Sequence, residues 1–116
     1  MGWIGVDFDG TLVEYHGWNG PGYGELGKPI PLMINRVLRW LKEGKSVQIL
    51  TARVHPENPA REVSRQTIEK WCLEHLGQIL EIRCDKDMGM IELWDDRCVQ
   101  LFPNTGERVD GWSDVW

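Results

Sequence analysis

Residues 3–11 read WIGVDFDGT, an apolar run that leads directly into two aspartates, Asp7 and Asp9, and a Gly-Thr turn. Side chains two positions apart on a strand face the same way. If the run is a strand, both carboxylates emerge at its carboxyl end, which is where open α/β sheets bind ligands. This stretch therefore predicts a parallel α/β sheet with a functional site at its edge.

The spacing of these two carboxylates indicates a site for a hard divalent cation. Like charges at short range repel, and one group keeps its proton unless a cation lies between them. Mg²⁺ takes oxygen ligands and commonly binds one or two carboxylates together with a substrate phosphate. An EF-hand calcium loop is disfavoured because it needs further acids and a closing glutamate, whereas Leu12 and Val13 follow here. A plain Asp-Gly turn remains the alternative.

Length and composition exclude several classes of protein. The chain has 116 residues and a net charge of −5, which suits one domain, 1–116, with a single core. This acidic balance, with no run of Lys or Arg, argues against a broad nucleic-acid-binding surface but allows a nucleotide or a strand end as a partner. Without a long apolar run or a basic leader, we expect a cytoplasmic protein that has no membrane partner. The sequence leaves homo-oligomerisation open.

Strand and helix patterns alternate along the chain, which predicts a mainly parallel sheet. An amphipathic helix is expected over residues 31–43, with Pro31 at its start and Gly44 after its end. A second helix is expected to be capped by Asn58, to begin at Pro59 and to end at Gly77. The expected strands are the run before Asp7 and residues 46–50, 79–84, 90–94 and 98–102.

Three segments do not fit a regular alternation. Residues 12–28 are rich in glycine and aromatic side chains, so we expect a flap loop or hairpin there. Residues 103–116 have no usable period and are expected to form an irregular tail. The link between the third and fourth strands is shorter than the dozen or so residues that a helical crossover needs, so it must cross as a loop or a single turn.

Polar groups follow four of the expected strands, and parallel strands bring their carboxyl ends to one edge of the sheet. A phosphoryl-transfer site needs a nucleophile, a cation and hydrogen-bond donors aimed at the charge that develops on the phosphoryl oxygens. An aspartate can be the nucleophile, a threonine and a lysine the donors, and further acids can complete the metal shell. In strand order the residues are Asp7 with Asp9, Thr51, Lys86, and Asp95 with Asp96.

In this order the motifs resemble those of the haloacid dehalogenase-like hydrolase superfamily, over nearly all of residues 3–102. The resemblance implies that Asp7 attacks phosphorus to form an aspartyl-phosphate. It implies that Asp9 protonates the leaving group and then activates the hydrolytic water, while its main-chain carbonyl binds Mg²⁺. Thr51 would hydrogen-bond the phosphoryl group and Lys86 would neutralise it. The metal ligands expected are Asp7, Asp9, Asp95 and Asp96.

The resemblance also implies a fold and an activity. The expected fold is a three-layer α/β/α Rossmann-like domain with a five-stranded sheet in the order 5-4-1-2-3. The intervals that hold cap domains in larger relatives are short here, so a minimal, capless member is expected. The family's phosphatases carry the second acid, Asp9, and related ATPases lack it. We therefore expect a Mg²⁺-dependent phosphomonoester phosphatase, acting on a phosphorylated small molecule such as a nucleotide or on a phosphorylated macromolecular end.

Candidate substrate-binding residues flank these motifs. Aromatic side chains of the flap can stack on a base, or they can simply pin a glycine-rich loop. Arg53 can bind a second phosphate or carboxylate, or it can form a salt bridge with a nearby acid. The full set is Gly10, Tyr15, Trp18, Tyr23 and Arg53.

Each single-residue motif also has a structural alternative. Thr51 can be a helix cap or an ordinary strand residue, and Lys86 a solvated loop charge. Alternation along a strand implies that only one of Asp95 and Asp96 points straight at the metal, and the pattern does not say which. The other is expected to orient a water, Lys86 or Arg97. A second class of function is also compatible with the motifs: a Mg²⁺-binding phospho-acceptor or regulatory module with little hydrolase activity.

Overall fold

A computed structural model describes residues 2–17 and 26–112 of the chain. Within them, four parallel strands form one sheet, in which the third strand of the chain pairs with the second, the second with the first, and the first with the fourth. The predicted α/β class and parallel sheet are confirmed, and the order of these four strands agrees with the expected one. In chain order the elements are β1 (Trp3–Asp7), α1 (Pro31–Lys42), β2 (Val47–Leu50), a short 3₁₀ helix (Ala52–Val54), α2 (Arg61–Leu76), β3 (Glu81–Arg83) and β4 (Met90–Trp94).

The fifth expected strand, residues 98–102, does not join the sheet in the part of the chain that the structure describes. Leu101 instead forms an isolated antiparallel bridge with Arg108. The Phe102 N–H donates to the Glu107 carbonyl, so residues 100–109 make a small hairpin rather than an irregular tail. A short apolar run suits a hairpin arm as well as a sheet strand, which is why the pattern alone misassigned it.

Both described helices pack on one face of the sheet. Val6 and Ile49 lie side by side on β1 and β2, are fully buried, and join a core with Val37 of α1 and Ile68 of α2. Just beyond β1, the Phe8 ring meets Trp71 of α2 edge to face at 5.2 Å. This packing holds the carboxyl end of β1 rigidly against the helical layer.

The opposite face is crossed by the link between β3 and β4, not by a helix, so the described residues form two layers where three were expected. The link comprises only residues 84–89, too few for a helical crossover. The Asp87 side chain anchors this link through three hydrogen bonds. One carboxylate oxygen accepts from Trp3 Nε1 and from the Gly89 N–H, both at 2.8 Å. The other oxygen accepts from Arg83 Nη1 at 3.1 Å.

The observed helix termini agree with most of the predicted helix boundaries but correct the start of α2. α1 starts at Pro31 as expected, and Gly77 ends α2 in the left-handed conformation with φ of 77°. The start of α2 was placed too early, because the helix begins at Arg61 and not at Pro59. Asn58 turns the chain before the helix instead: its side-chain oxygen accepts from the Ala60 N–H at 3.0 Å.

The flap predicted over residues 12–28 closes at its base. Val13 pairs antiparallel with Pro29, and the Glu14 N–H donates to the Lys28 carbonyl at 2.8 Å. Residues 18–25 lie outside the described residues, and with them the Trp18 and Tyr23 predictions. In the ranges 2–17 and 26–112, neither α-helix combines the length and apolar character needed to cross a bilayer.

Candidate functional site

Three carboxylates meet at the carboxyl edge of the sheet. Asp7, Asp95 and Asp96 each offer one oxygen, and these oxygens all lie within 4.8 Å of one another. The strand register explains the meeting, because Val6 lies beside Trp94 and the next residue of each strand is an aspartate. Asp95 and Asp96, the acids expected after the fourth strand, therefore both lie beside the first motif.

The turn after β1 makes room for this cluster. Phe8 O accepts from the main-chain N–H groups of Thr11, Leu12 and Val13, which folds residues 8–13 into a tight turn. Gly10 has a φ of +88° there and lies directly against the Asp96 side chain. The Thr11 hydroxyl donates to Asp7 Oδ2 at 3.4 Å. A role for Thr11 was not anticipated from the sequence, although it belongs to the first motif.

Burial and neighbouring negative charge oppose ionisation of Asp7. The pKa of Asp7 is raised to about 7, first by burial, next by the negative charge of Asp95, and then by its side-chain hydrogen bond with Asp96. A hydrogen bond from the Phe8 N–H acts in the opposite direction and is outweighed. The repulsion that the sequence suggested between Asp7 and Asp9 is thus found instead between Asp7 and the pair after β4. A divalent cation would relieve it.

Asp9 does not share the direction of Asp7. β1 ends at Asp7, so the strand alternation that would align the two carboxylates stops before Asp9. The Asp9 carboxylate instead forms a two-point ion pair with Arg53, with Nε to Oδ2 at 2.7 Å and Nη2 to Oδ1 at 2.9 Å. Of the two roles considered for Arg53, the salt bridge with an acid is the one present in the structure.

Thr51 lies immediately after β2, beside the end of β1, and is buried. Its hydroxyl oxygen accepts from the Arg53 N–H at 3.2 Å and so caps the short 3₁₀ helix. The capping role considered from the sequence is therefore real. A hydroxyl also carries one proton to donate, so capping and hydrogen bonding to an anion are compatible roles.

Lys86 lies on the exposed link between β3 and β4. Its charge acts on the thiol of Cys98, four residues after β4. Burial and the charges of Asp95, Asp7 and Asp96 raise the pKa of that thiol, while the Lys86 charge lowers it.

Around the acids, two further residues form the rim of the described site. Asp95 accepts from the main-chain N–H of Arg97 at 2.8 Å, which fixes the turn after β4. The Arg97 guanidinium lies 5.5 Å from the centre of the Tyr15 ring, at the start of the flap. Of the aromatic candidates, Tyr15 thus lies near the residues that follow β4, and its ring interacts with the Arg97 guanidinium.

Comparison with known proteins shows the fold alone. The chain is similar in structure to a conserved protein coded by a locus from Bacteroides thetaiotaomicron, with a TM-score of 0.59 and 21% sequence identity. The similarity covers 88% of this chain and 81% of the other. No family model matches the sequence, and no curated protein matches it.

Proposed function

We propose that the chain is a Mg²⁺-dependent phosphomonoester phosphatase of the haloacid dehalogenase-like type, acting through an aspartyl-phosphate on Asp7. One observation carries the proposal. Asp7 at the end of β1 meets Asp95 and Asp96 at the end of β4, and their oxygens lie within 4.8 Å of one another. A nucleophilic carboxylate beside a divalent-cation shell is what metal-assisted phosphoryl transfer requires.

The residues present fit a hard cation. Three carboxylates with convergent oxygens match the ligand preference of Mg²⁺. Burial, followed by the charge of Asp95, raises the pKa of Asp7, and a bound cation would oppose both effects. Asp7, Asp95, Asp96 and the main-chain carbonyl of Asp9 are the ligands proposed. Bound there, Mg²⁺ would supply positive charge to the phosphoryl oxygens and keep Asp7 ionised.

The protein's own residues would carry out the reaction in two halves. An oxygen of Asp7 forms a bond to phosphorus, the bond from phosphorus to the leaving oxygen breaks, and Asp9 gives that oxygen a proton. Asp9 then takes a proton from water, the resulting hydroxide attacks phosphorus, and the Asp7 carboxylate is released with inorganic phosphate. Thr51 and Lys86 would donate to the phosphoryl oxygens and steady the charge that develops on them.

The substrate class proposed is a nucleotide or a phosphorylated nucleic-acid end. The segments between the motifs are short, so either the substrate itself or a second subunit must help to exclude water from the strand tips. A base can stack beside Tyr15, whose ring is already paired with the Arg97 guanidinium. The net charge of −5 disfavours extended contact with a phosphate backbone and favours recognition of an end.

Hydrolysis of p-nitrophenyl phosphate by the purified protein tests the proposal. We expect release of nitrophenol with Mg²⁺, none with EDTA, and none from the Asp7→Asn variant. Asp110→Asn is the matched control, because Asp110 is an exposed acid just after the hairpin of residues 100–109 and its substitution should leave turnover unchanged. Full turnover by Asp7→Asn would exclude the aspartyl-phosphate mechanism.

A second function is favoured by one specific observation. Both oxygens of Asp9 are engaged by Arg53, and a carboxylate held in this way could leave phospho-Asp7 without an efficient base for its hydrolysis. The chain would then be a phospho-acceptor module. Treatment with a small acyl phosphate and Mg²⁺, followed by mass spectrometry over time, separates the two: a module accumulates phospho-Asp7, whereas a phosphatase turns it over.

A further inference from the structure

We propose that Arg53 is a positioning residue that holds the Asp9 carboxylate in its working orientation for proton transfer. The assignment rests on the phosphatase function proposed above. It goes beyond the roles suggested by the sequence, in which Arg53 bound a second phosphate or carboxylate or formed a salt bridge with a nearby acid. Its basis is the ion pair between Arg53 and Asp9, two residues 44 positions apart that the fold brings together.

The burial of this pair separates it from ordinary surface ion pairs. The Arg53 side chain is 6% exposed and the Asp9 side chain 15% exposed. Exposed pairs contribute little, but loss of one partner from a buried pair leaves an uncompensated charge. Two parallel N–H to oxygen contacts also fix the plane of the carboxylate, which a single contact does not. Asp9 is therefore oriented and not simply neutralised.

The main chain of Arg53 is itself held from both sides. Its N–H donates to Thr51 Oγ1 at 3.2 Å, and its carbonyl accepts from Asn58 Nδ2 at 2.7 Å. Thr51 is the proposed phosphoryl-binding hydroxyl, so one residue links it to the proposed acid–base group. This connection sets Asp9 relative to the place where the phosphoryl group would lie, which is the requirement for efficient proton transfer.

A positioning role has a kinetic signature that depends on the leaving group. An alkyl alcohol leaves poorly without a proton, so hydrolysis of an alkyl phosphate depends strongly on a well-oriented Asp9. p-Nitrophenol is a good leaving group and depends on it less. Loss of Arg53 should therefore slow hydrolysis of the alkyl phosphate more than hydrolysis of the aryl phosphate. A general loss of order in the site would slow both reactions to the same extent.

A double-mutant cycle on glycerol 2-phosphate and p-nitrophenyl phosphate tests the assignment. We expect Arg53→Ala to lower kcat about 100-fold on the alkyl phosphate, the lower end of general acid–base effects, and about tenfold or less on the aryl phosphate. In an Asp9→Asn background the same change should lower kcat on the alkyl phosphate no more than about twofold, because Arg53 acts through Asp9. Arg65→Ala is the matched control, since Arg65 is a part-buried arginine that donates to the Ile82 carbonyl.

Arg53→Lys keeps the charge and gives a second route if the alanine variant does not fold. A lysine presents one ammonium and not a planar fork, so it should not restore kcat on the alkyl phosphate. In the Asp9→Asn background, Arg53→Lys should again cause no further loss of kcat. Tungstate binding with Mg²⁺ should stay within about twofold of wild type in either variant, because Arg53 is not assigned to the phosphoryl group.

The positioning role would be overturned by equal losses on both substrates, by additive losses in the cycle, or by tungstate binding weakened tenfold or more. A rise in turnover on removal of Arg53 would also overturn it, since Arg53 would then be restraining Asp9 from reacting. Failure of the proposed function itself is seen separately, as a wild-type protein without Mg²⁺-dependent turnover or an Asp7→Asn variant that keeps it, and it removes the positioning role as well.

Discussion

The Asp96 carboxylate lies so close to Gly10 that a Cβ built on Gly10 would stand 2.5 Å from an Asp96 oxygen. Gly10 also has a φ of +88°, a backbone conformation that costs free energy for residues other than glycine. Gly10→Ala should therefore push Asp96 away from Asp7 in addition to straining the turn. We expect the proposed phosphatase activity to fall at least about tenfold. The stabilisation that Mg²⁺ would give through the proposed site should be mostly lost, measured by thermal unfolding with and without Mg²⁺.

Gly44→Ala separates strain from displacement. Gly44 has a similar φ of +81° and follows α1, and, its chain neighbours aside, none of the described residues has an atom within 4 Å of a Cβ placed there. That variant should lose about 1 kcal/mol of stability from the backbone alone and keep its activity. If the two alanine variants lost activity equally, contact between Gly10 and Asp96 would have no part in the site.

Asp7 should make the metal-free protein less stable as the pH rises. Its pKa in the folded protein is about 7, against an ordinary value of 3.8. Between these values the folded state keeps a proton that the unfolded state releases, so the free energy of unfolding falls as pH rises from about 4 to about 7. Asp7→Asn should remove this dependence. Between pH 4 and pH 8, the difference in the free energy of unfolding between Asp7→Asn and wild type should shift by about 1–2 kcal/mol in favour of the variant, after allowance for solvent screening.

Urea unfolding in EDTA at pH 4 and pH 8 measures the effect. Asp110→Asn is a control of opposite sign, because a side-chain hydrogen bond from Arg108 and one from the Trp112 N–H lower the pKa of Asp110. That variant should be the less stable one at both pH 8 and pH 4, and its deficit should shrink only as the pH falls below the ordinary value of 3.8. A wild-type protein equally stable at both pH values relative to Asp7→Asn would show that the acidic cluster does not raise the pKa of Asp7.

The sequence was sufficient where local chemistry decides the structure. Pro31 and Gly44 bracket α1, and the strand over residues 90–94 was placed with the bounds that the structure has. β2 and β3 are shorter than predicted, since strand ends depend on the pairing partner. The meeting of Asp7 with Asp95 and Asp96 also followed from the sequence, because parallel strands bring their carboxyl ends to one edge.

What the sequence could not decide depends on contacts between distant residues. Arg53 had two plausible partners, a phosphate and an acid, and only the fold shows that Asp9 lies within 2.7 Å. Thr51 likewise turned out to cap the segment that carries Arg53. The direction of Asp9 was missed because alternation was extended past Asp7, the residue at which β1 ends.

Asp87 should stabilise the short link between β3 and β4. Trp3 Nε1 and the Gly89 N–H both donate to it, and its pKa is lowered, first by the hydrogen bond from Trp3 and then by the one from Gly89. A lowered pKa adds stability above the ordinary value of about 3.8 that is lost as pH falls through the lower folded value. Asp87→Asn should therefore destabilise the protein at pH 7 and much less at pH 3, measured by urea unfolding.

Asp85→Asn is the matched control for the link. Asp85 also pairs with Arg83, but it is 76% exposed, and such pairs contribute little. Because Lys86, a proposed phosphoryl-binding residue, lies between these two aspartates in the chain, Asp87→Asn should also reduce the proposed phosphatase activity more than Asp85→Asn does. Equal effects of the two variants on both stability and activity would mean that the link is held by other contacts.

Ser64 offers a substitution that should stabilise the fold without touching the site. Its hydroxyl oxygen is buried in α2, with no hydrogen-bond partner among the described residues. A buried polar group without a partner costs about 1–3 kcal/mol, and alanine is also the better helix former. Ser64→Ala should raise the free energy of unfolding by about 1 kcal/mol, partly offset by the small void left behind. Gln66→Ala, at an exposed position of the same helix, isolates the propensity contribution, and a Ser64→Ala protein less stable than wild type would show that the hydroxyl has a partner such as a buried water.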